Sequence, residues 1–268
     1  MISVAISSIS PTNLERCIDS LYKSEYREFE LVVNNAIESE DISRVAHKFR
    51  ATEINKKTNI LESWLRMIDV CEGDYIFLLS DSRVVSSTLL ELISKSRADM
   101  LIIGENEVGS GLIPKIYNLE RKGMSKVPTN NLNPYTLRSI LPRVYKSNLL
   151  KLARANIIKN LGDKMISRVW TLDQEIIYFE VFQLSRNVEF IRSAEIQHTP
   201  EESIVELWKK YFKYGRGQKA LKNTAYSTMT TMHGRTRNGL PIFSRLLSVP
   251  SMILRAPPYI LGYINGDQ

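Results

Sequence analysis

Three short polar side chains and a cation follow a strongly apolar run near residue 80. The run Tyr75–Leu79 is short and rich in aromatic and branched residues, which is typical of a strand buried on both faces. It ends in Ser80, Asp81, Ser82 and Arg83. Ligands bind at the carboxyl ends of strands in open α/β sheets, so these residues are candidates for a polar site. The other interpretation is a strand-to-loop turn, because Ser and Asp favour turns.

A second candidate for chemistry lies in the other half of the chain, where Asp173 precedes a helical pattern running from Ile176 to Val181. A helix amino terminus favours a charged carboxylate, and an ionised carboxylate can take a proton from a hydroxyl group within hydrogen-bond reach. Glu175 is the alternative proton acceptor. The other interpretation is that Asp173 only caps the helix, which is a common role for aspartate.

Alternating strands and helices must position these side chains. Apolar runs predict strands at 2–7, 29–34, 52–54, 75–79 and 100–104, with helical patterns between them. Such alternation is typical of βαβ units with right-handed crossovers and a mostly parallel sheet. The pair Thr12 and Glu15 has the spacing of a capping box, which predicts the start of the first helix. The regular alternation stops near residue 105.

Two further predicted strands end in polar residues at the same edge as Asp81. The first runs into Ser7, Ser8 and Ile9, and the second into Asn34 and Asn35. No glycine-rich phosphate loop follows any of these strands, which counts against dinucleotide-dependent oxidoreductases, P-loop NTPases and sugar nucleotidyltransferases. A diphosphate bound at this edge would need a metal ion or basic side chains to offset its charge.

The 268-residue chain has a formal net charge of +7, and the basic excess lies after residue 203. Its two cysteines, Cys17 and Cys71, fall in apolar helical patterns, so we expect buried reduced thiols. The sequence opens directly with a strand, and no uncharged stretch is long enough to cross a bilayer, which predicts a cytoplasmic protein. The basic tail lacks a recognised nucleic-acid motif, so we expect no nucleic-acid partner.

The first 100 or so residues resemble the amino-terminal half of family 2 glycosyltransferases, which have the GT-A fold. The matching segments are 2–18, 31–35 and 73–85, and Gly73-Asp74-Tyr75-Ile76 is the most specific match. The resemblance implies a Rossmann-like, mostly parallel mixed sheet flanked by helices. It places a GT-A nucleotide-sugar-binding and catalytic domain at residues 1–200 and a basic amphipathic helical extension at 201–268.

The activity implied by the resemblance is inverting transfer of a hexosyl group from a nucleotide-diphosphate sugar to an acceptor hydroxyl or lipid phosphate. The family's Glu-Asp-x-(Asp/Glu) motif places its Asp on Asp173, which becomes the general base, while its Glu is replaced by Leu172. The implied nucleotide-binding residues are Ser7, Ser8, Ile9, Asn34, Asn35, Lys57, Ser80 and Asp81. A nucleotide-sugar-binding relative without turnover is the alternative, motivated by Ser80 and Ser82.

The sequence departs from the family at its metal-binding motif. Where the family carries Asp-x-Asp, this chain has Ser80-Asp81-Ser82. Hard divalent cations are usually held through one or two carboxylates and substrate phosphate, so we expect Mg²⁺ or Mn²⁺ at Asp81. His198 ends the last predicted strand, where GT-A enzymes often have a metal or diphosphate contact, so the resemblance implies that it is the second ligand as a neutral imidazole. The other interpretation is that His198 is a structural hydrogen-bonding residue. The alternative is that Arg83, Lys57 or the basic tail neutralises the diphosphate.

The carboxyl-terminal segment combines basic and apolar residues. An amphipathic helix is predicted over 202–222, and its Tyr214-Gly-Arg-Gly segment resembles one in family members that act at membranes. The resemblance implies that Arg216 contacts the leaving diphosphate. The other interpretation is that Arg216 is a solvated charge. Residues 238–268 alternate apolar clusters with prolines, which suits either peripheral binding to the inner face of the plasma membrane or packing on the domain. We therefore expect a glycan or lipid-linked acceptor, with residues 105–145 as acceptor-side loops.

Overall fold

The computed structural model describes residues 1–124, 141–200, 203–231, 246 and 249–266. Their strands are β1 (Ile2–Ser8), β2 (Phe29–Asn35), β3 (Thr52–Asn55), β4 (Tyr75–Ser80), β5 (Arg83–Val85), β6 (Met100–Glu107), β7 (Pro142–Lys146) and β8 (Val188–His198). Their helices are α1 (Pro11–Tyr22), α2 (Glu40–Lys48), α3 (Ile60–Val70), α4 (Leu89–Lys95), α5 (Leu112–Met124), α6 (Ser147–Leu161), α7 (Asp163–Ile166), α8 (Asp173–Leu184), α9 (Ile204–Leu221), α10 (Ser227–Thr231) and α11 (Val249–Ile264).

The strands form one mixed sheet in the order β3-β2-β1-β4-β7-β6-β8-β5. The first four of these strands run parallel to one another, and β6 and β8 are parallel to each other. Strand β7 is antiparallel to both β4 and β6, and β5 is antiparallel to β8. The predicted mostly parallel, mixed α/β sheet flanked by helices is confirmed.

Both faces of the sheet are covered, because side chains alternate along each strand. On β4, Ile76 and Leu78 join the core cluster that contains residues of α3, α6 and α8. Phe77 and Leu79 join the opposite cluster, which contains residues of α1 and α4. A strand covered on both sides needs an unbroken apolar sequence, as β4 has.

The start of α1 differs from the prediction. Ser10, not Thr12, is the N-cap, and its hydroxyl accepts a hydrogen bond of 3.4 Å from the Asn13 backbone N–H. Pro11 occupies the first helical position, where a missing N–H group costs nothing and the fixed φ suits the helix. The predicted capping box was therefore wrong, because the Ser-Pro pair before it begins the helix two residues earlier.

Residues 105–145 contain more regular structure than the predicted loops. Helix α5 occupies 112–124 and β7 begins at Pro142, while 125–140 lie outside the described residues. Strand β7 was missed because proline and two cations interrupt its short apolar pattern. The loop prediction was therefore wrong for α5 and β7. Both cysteines are buried and free, as expected.

The carboxyl-terminal helices pack on the rest of the molecule. Leu221, Tyr226 and Met229 belong to the same core cluster as the residues of α8. Helices α9 and α11 cross at Gly215 and Gly262, where each α-carbon lies against the backbone of the other helix. The division at residue 200 stays a prediction. Among the helices that the structure describes, none combines the length and apolarity needed to cross a membrane.

Candidate functional site

The polar ends of three strands meet at one edge of the sheet, as predicted. Ser7 on β1 lies directly between Asn34 on β2 and Ser80 on β4 in the strand register. Ser8 pairs with Asn35 in the same way. Parallel strands bring their carboxyl ends to a common edge, so these segments form one polar rim.

Asp81 is almost fully buried within this rim, with only 4% of its surface exposed. Its Oδ2 atom accepts three hydrogen bonds: 3.0 Å from Ser8 Oγ, 2.7 Å from the Ile9 N–H and 2.8 Å from the Ser10 N–H. Burial raises the pKa of the Asp81 carboxyl, and these donors oppose the shift by stabilising the ionised form. One oxygen of Asp81 therefore holds the loop between β1 and α1.

The two asparagines at the end of β2 have different roles. Asn34 donates to Thr58 Oγ1 at 2.9 Å, while its Oδ1 is buried and has no partner among the described residues. Asn35 donates to the Ser39 carbonyl at 2.8 Å and accepts from the Ser39 N–H at 2.9 Å. Asn34 thus retains an acceptor for a ligand, whereas the Asn35 amide is already used to fix the start of α2.

The remaining predicted nucleotide contacts, Ile9 and Lys57, lie at the surface. The Ile9 side chain is exposed, although its backbone N–H is bound to Asp81. Lys57 is exposed, and its backbone N–H donates to Glu38 Oε1 at 3.3 Å. Both roles stay predictions, since an exposed side chain can reach a ligand without any contact in the free protein.

A network of ion pairs lies next to Ser80. Arg83 donates to Ser80 Oγ, and its Nε lies 3.7 Å from Glu105 Oε1. The same Glu105 oxygen accepts from Arg143 Nε, so two guanidinium groups share one carboxylate. We refer to Arg83, Glu105 and Arg143 as the arginine–glutamate triad. Sequence reasoning named Arg83 but missed Glu105 and Arg143, because β6 and β7 bring them together only in the folded chain.

Asp173 lies half-buried at the amino terminus of α8, where the charges of Arg143 and Arg83 act on its carboxyl group. The preceding residue, Leu172, is buried with φ 61°, which is an unusual backbone conformation for a branched, bulky residue. Such strain is retained where surrounding packing enforces it, and it is found at functional sites. Leu172 turns the chain so that Asp173 opens the helix.

Burial raises the pKa of Asp173, while the charges of Arg143, Arg83 and Lys210 lower it. Desolvation therefore opposes the helix terminus, which favours the ionised carboxylate, and is the larger of the two effects on the pKa. That Asp173 is ionised at pH 7 stays a prediction. Arg83, which contacts Ser80 at the end of β4, also acts electrostatically on Asp173, so this carboxyl lies within range of the Arg83 charge. Glu175, the alternative base, is half-buried and lies two residues after Asp173 on α8.

His198 ends β8 between Glu107 on β6 and Arg83 on β5 in the strand register. Its Nδ1 lies 2.6 Å from Glu107 Oε2. Burial and the charge of Arg83 lower the pKa of His198 to about 4, more than Glu107 raises it. The imidazole is therefore neutral at pH 7 and donates its Nδ1 proton to Glu107, which leaves Nε2 as an acceptor.

The expected metal ligands form a poor cation site. One Asp81 oxygen is held by three donors, and Arg83 stands beside both Ser80 and His198. Across the ranges that the structure describes, no three His, Cys, Asp or Glu side chains are grouped to hold a metal ion. Magnesium or manganese at Asp81 and His198 stays a prediction that this donor set does not favour.

Arg216, the predicted diphosphate contact, is exposed on α9. Its neighbour Gly217 packs against the backbone of Trp170, three residues before Asp173, so this part of α9 adjoins the site. Lys213 of the same helix lies over the Trp170 ring, 5.4 Å from its centroid. The assignment of Arg216 stays a prediction.

A separate depression lies at the opposite edge of the sheet. It is lined by Glu72, Gly73, Asp74, Tyr75, Lys146, Ser147, Asn148 and Lys151. These residues surround the amino end of β4, away from the polar rim. Its acidic and basic side chains offset each other, so we do not regard it as the functional site.

Comparison with solved structures shows that the fold, a curled mixed sheet flanked by helices, is GT-A-like. A crystal structure of residues 1–349 of Staphylococcus aureus TarS, a GT-A glycosyltransferase of the family 2 kind, has a TM-score of 0.58 and 14% sequence identity. The match covers 97% of this chain and 81% of that one. At this identity the likeness shows the fold.

Two ligand complexes of the same TarS fragment are also similar. The complex with UDP-GlcNAc has a TM-score of 0.57 at 14% identity and covers 98% of this chain and 89% of that one. The complex with UDP has a TM-score of 0.54 at 14% identity and covers 98% and 88%, respectively. No protein-family model and no curated protein matches the sequence.

Proposed function

We propose that the chain is an inverting glycosyltransferase that transfers a sugar from a nucleotide-diphosphate sugar to an acceptor hydroxyl or lipid phosphate. The observation that carries the proposal is the role of Arg83, which contacts Ser80 at the end of β4 and acts electrostatically on Asp173. A donor bound along the ends of β1, β2 and β4 would then lie beside a carboxylate.

In the proposed reaction, Asn34 Oδ1 is available to the base or ribose of the donor. Asp173 accepts the proton of the acceptor hydroxyl as the oxygen attacks the anomeric carbon, and the carbon–oxygen bond to the diphosphate breaks. Attack from the face opposite the leaving group inverts the anomeric configuration. When the acceptor is a lipid phosphate, it is already ionised and needs no base.

The experiment is a nucleotide-release assay with a panel of nucleotide sugars, combined with thermal unfolding. UDP-GlcNAc is the first probe, because the TarS fragment crystallised with it. A bound donor should raise the melting temperature. The glycosyltransferase proposal is supported if the wild-type protein releases UDP, and if Asp173→Asn no longer releases UDP but still shows the thermal shift. If no donor gives turnover but the shift remains, the binding-only alternative suggested by Ser80 and Ser82 holds instead.

We further propose that transfer occurs at the cytoplasmic face of a membrane, with a glycan or lipid-linked acceptor. Helix α11 exposes an apolar stripe that includes Ile253, Ile260 and Ile264, and α9, which packs against α11, exposes Trp208 and Lys209. Apolar side chains with nearby cations match the interface of an anionic bilayer. The packing of α9 against Trp170 would keep such a surface close to Asp173.

A further inference from the structure

The Ser80-Asp81-Ser82 segment lacks the carboxylates that would attract a divalent cation. The two serine hydroxyls lie 3.1 Å apart at the positions where the family resemblance expects aspartates. Asp81 is the one carboxylate of the segment, and one of its oxygens accepts hydrogen bonds from Ser8, Ile9 and Ser10 in the segment between β1 and α1. That oxygen is therefore used in hydrogen bonds within the protein, two from backbone N–H groups and one from the Ser8 hydroxyl.

A guanidinium contacts the first of these two serines. Arg83 donates to Ser80 Oγ, which is itself in contact with Ser82 Oγ. The Arg83 and Glu105 side chains are only 12% and 9% exposed, so this ion pair is weakly screened by solvent. A divalent cation beside Ser80 would be repelled by this fixed positive charge at short range.

The second arginine strengthens the positive character of the rim. Arg143 is buried and pairs through Nε with Glu105, which already pairs with Arg83. Its Nη1 is buried and has no hydrogen-bond partner within the described part of the chain. An unsatisfied cationic donor in a low-dielectric site is costly, so an anion that entered beside the arginine–glutamate triad would gain charge-assisted hydrogen bonds.

We propose that Arg83, held between Ser80 and Glu105 and supported by Arg143, neutralises the diphosphate of the sugar donor in place of a metal ion. This inference rests on the proposed function. When the bond between the anomeric carbon and the diphosphate oxygen breaks, the nucleoside diphosphate keeps the electron pair, and the acceptor proton goes to Asp173. Arg83 stabilises the additional negative charge on the leaving group through its N–H donors. No divalent cation takes part in the step.

The test is the affinity of the full chain for UDP, GDP, ADP, CDP and dTDP, measured by calorimetry with EDTA and then with Mn²⁺ or Mg²⁺. At least one nucleoside diphosphate should bind, and the metal should change its affinity by less than about twofold. The variant Arg83→Gln should weaken binding by about tenfold or more, which corresponds to the loss of one charge-assisted hydrogen bond. Arg83→Lys keeps the positive charge but loses the planar guanidinium, so its affinity for the nucleoside diphosphate should lie between those of wild type and Arg83→Gln.

Arg66→Gln is the matched control, because Arg66 makes an exposed ion pair with Glu62 on α3 and should leave the affinity unchanged. Binding that requires Mn²⁺ or Mg²⁺, or an Arg83→Gln protein that is folded and binds as well as wild type, overturns the inference while the glycosyltransferase proposal survives. If none of the five diphosphates binds with or without metal, the proposed function itself fails. The metal comparison uses wild-type protein and does not depend on the variants folding.

Discussion

Asp81 and Ile9 are joined by a hydrogen bond of 2.7 Å from the Ile9 N–H to Asp81 Oδ2, although 72 residues separate them in the chain. The same oxygen accepts from Ser8 and Ser10. The contact ties the end of β4 to the entry of α1, across the middle of the polar rim. Asp81 therefore has a structural role that can be separated from ligand binding.

Replacing Asp81 should first affect stability. Asp81→Ala leaves three donors without their acceptor, and each buried unsatisfied group costs about 1–3 kcal/mol, so we expect the free energy of unfolding to fall by about 3 kcal/mol or more. Asp81→Asn can present its amide oxygen to the same donors and should cost about 1 kcal/mol. Urea unfolding measures both values. Full stability of Asp81→Ala together with loss of activity would instead indicate a purely ligand-binding role.

Asp173→Asn should lower the transfer rate by about 10²- to 10⁴-fold, the usual contribution of a general base, with little change in donor affinity. Steady-state kinetics with a competent acceptor, together with calorimetry for UDP, separate the two effects. Glu175→Gln is the matched control and should retain most of the activity. A larger loss in Glu175→Gln than in Asp173→Asn would reassign the base.

The pH dependence of activity should also reveal the half-buried environment of Asp173. Burial raises its pKa above the ordinary aspartate value, so the acidic limb of the kcat/KM profile should lie at higher pH than an exposed aspartate would give. The residual activity of Asp173→Asn should lack this limb. A wild-type profile that stays flat down to the ordinary aspartate range would contradict the assignment.

The same shift in pKa predicts how stability changes with pH. The folded state holds the Asp173 proton to higher pH than the unfolded chain does, whose pKa is about 3.9. The contribution of Asp173 to stability is therefore fully present below that value and is lost as the pH rises through the folded pKa. Asp173→Asn cannot ionise, so its melting temperature relative to wild type should increase across this window. Differential scanning calorimetry at a series of pH values measures it.

The crossing of α9 and α11 should not tolerate a side chain at its centre. A Cβ atom at Gly215 would overlap the Tyr259 carbonyl oxygen, and one at Gly262 would overlap the Phe212 carbonyl oxygen. Backbone atoms cannot move aside, so Gly215→Ala or Gly262→Ala should destabilise the protein by about 1–3 kcal/mol. Limited proteolysis should then cleave near α11 sooner. Gly104→Ala is the control, because its nearest atom would lie at 3.8 Å, an ordinary contact distance.

The apolar stripe on α11 should mediate binding to anionic vesicles. Ile253 and Ile260 are 68% and 54% exposed, so Ile253→Glu with Ile260→Glu should reduce vesicle flotation without loss of stability. Leu152→Glu on α6 is the control, since Leu152 is exposed to a similar degree elsewhere. Equal flotation of the double variant and wild type, or no flotation on anionic or neutral lipid, would refute the proposed membrane surface.

Local patterns were sufficient to predict the first half of the fold. The buried run of β4 and the alternation of strands with helices indicated a parallel sheet, and the polar strand ends Ser7, Asn34 and Ser80 were expected at one rim. Each of these features depends on residues close in sequence. Strand β7 and the arginine–glutamate triad were missed, because they depend on pairings across distant parts of the chain.

The sequence by itself determined the mixed α/β architecture, the edge of the sheet where the polar strand ends meet, and the choice of Asp173 as a candidate base. Only the tertiary structure decided that one oxygen of Asp81 accepts hydrogen bonds from the loop between β1 and α1, and that Glu105 pairs with both Arg83 and Arg143. It also decided that the effect of burial on the pKa of Asp173 is larger than that of the helix terminus. The reason is physical. Strand and helix patterns arise from neighbouring residues, whereas desolvation and ion pairing depend on which distant side chains share the same small volume.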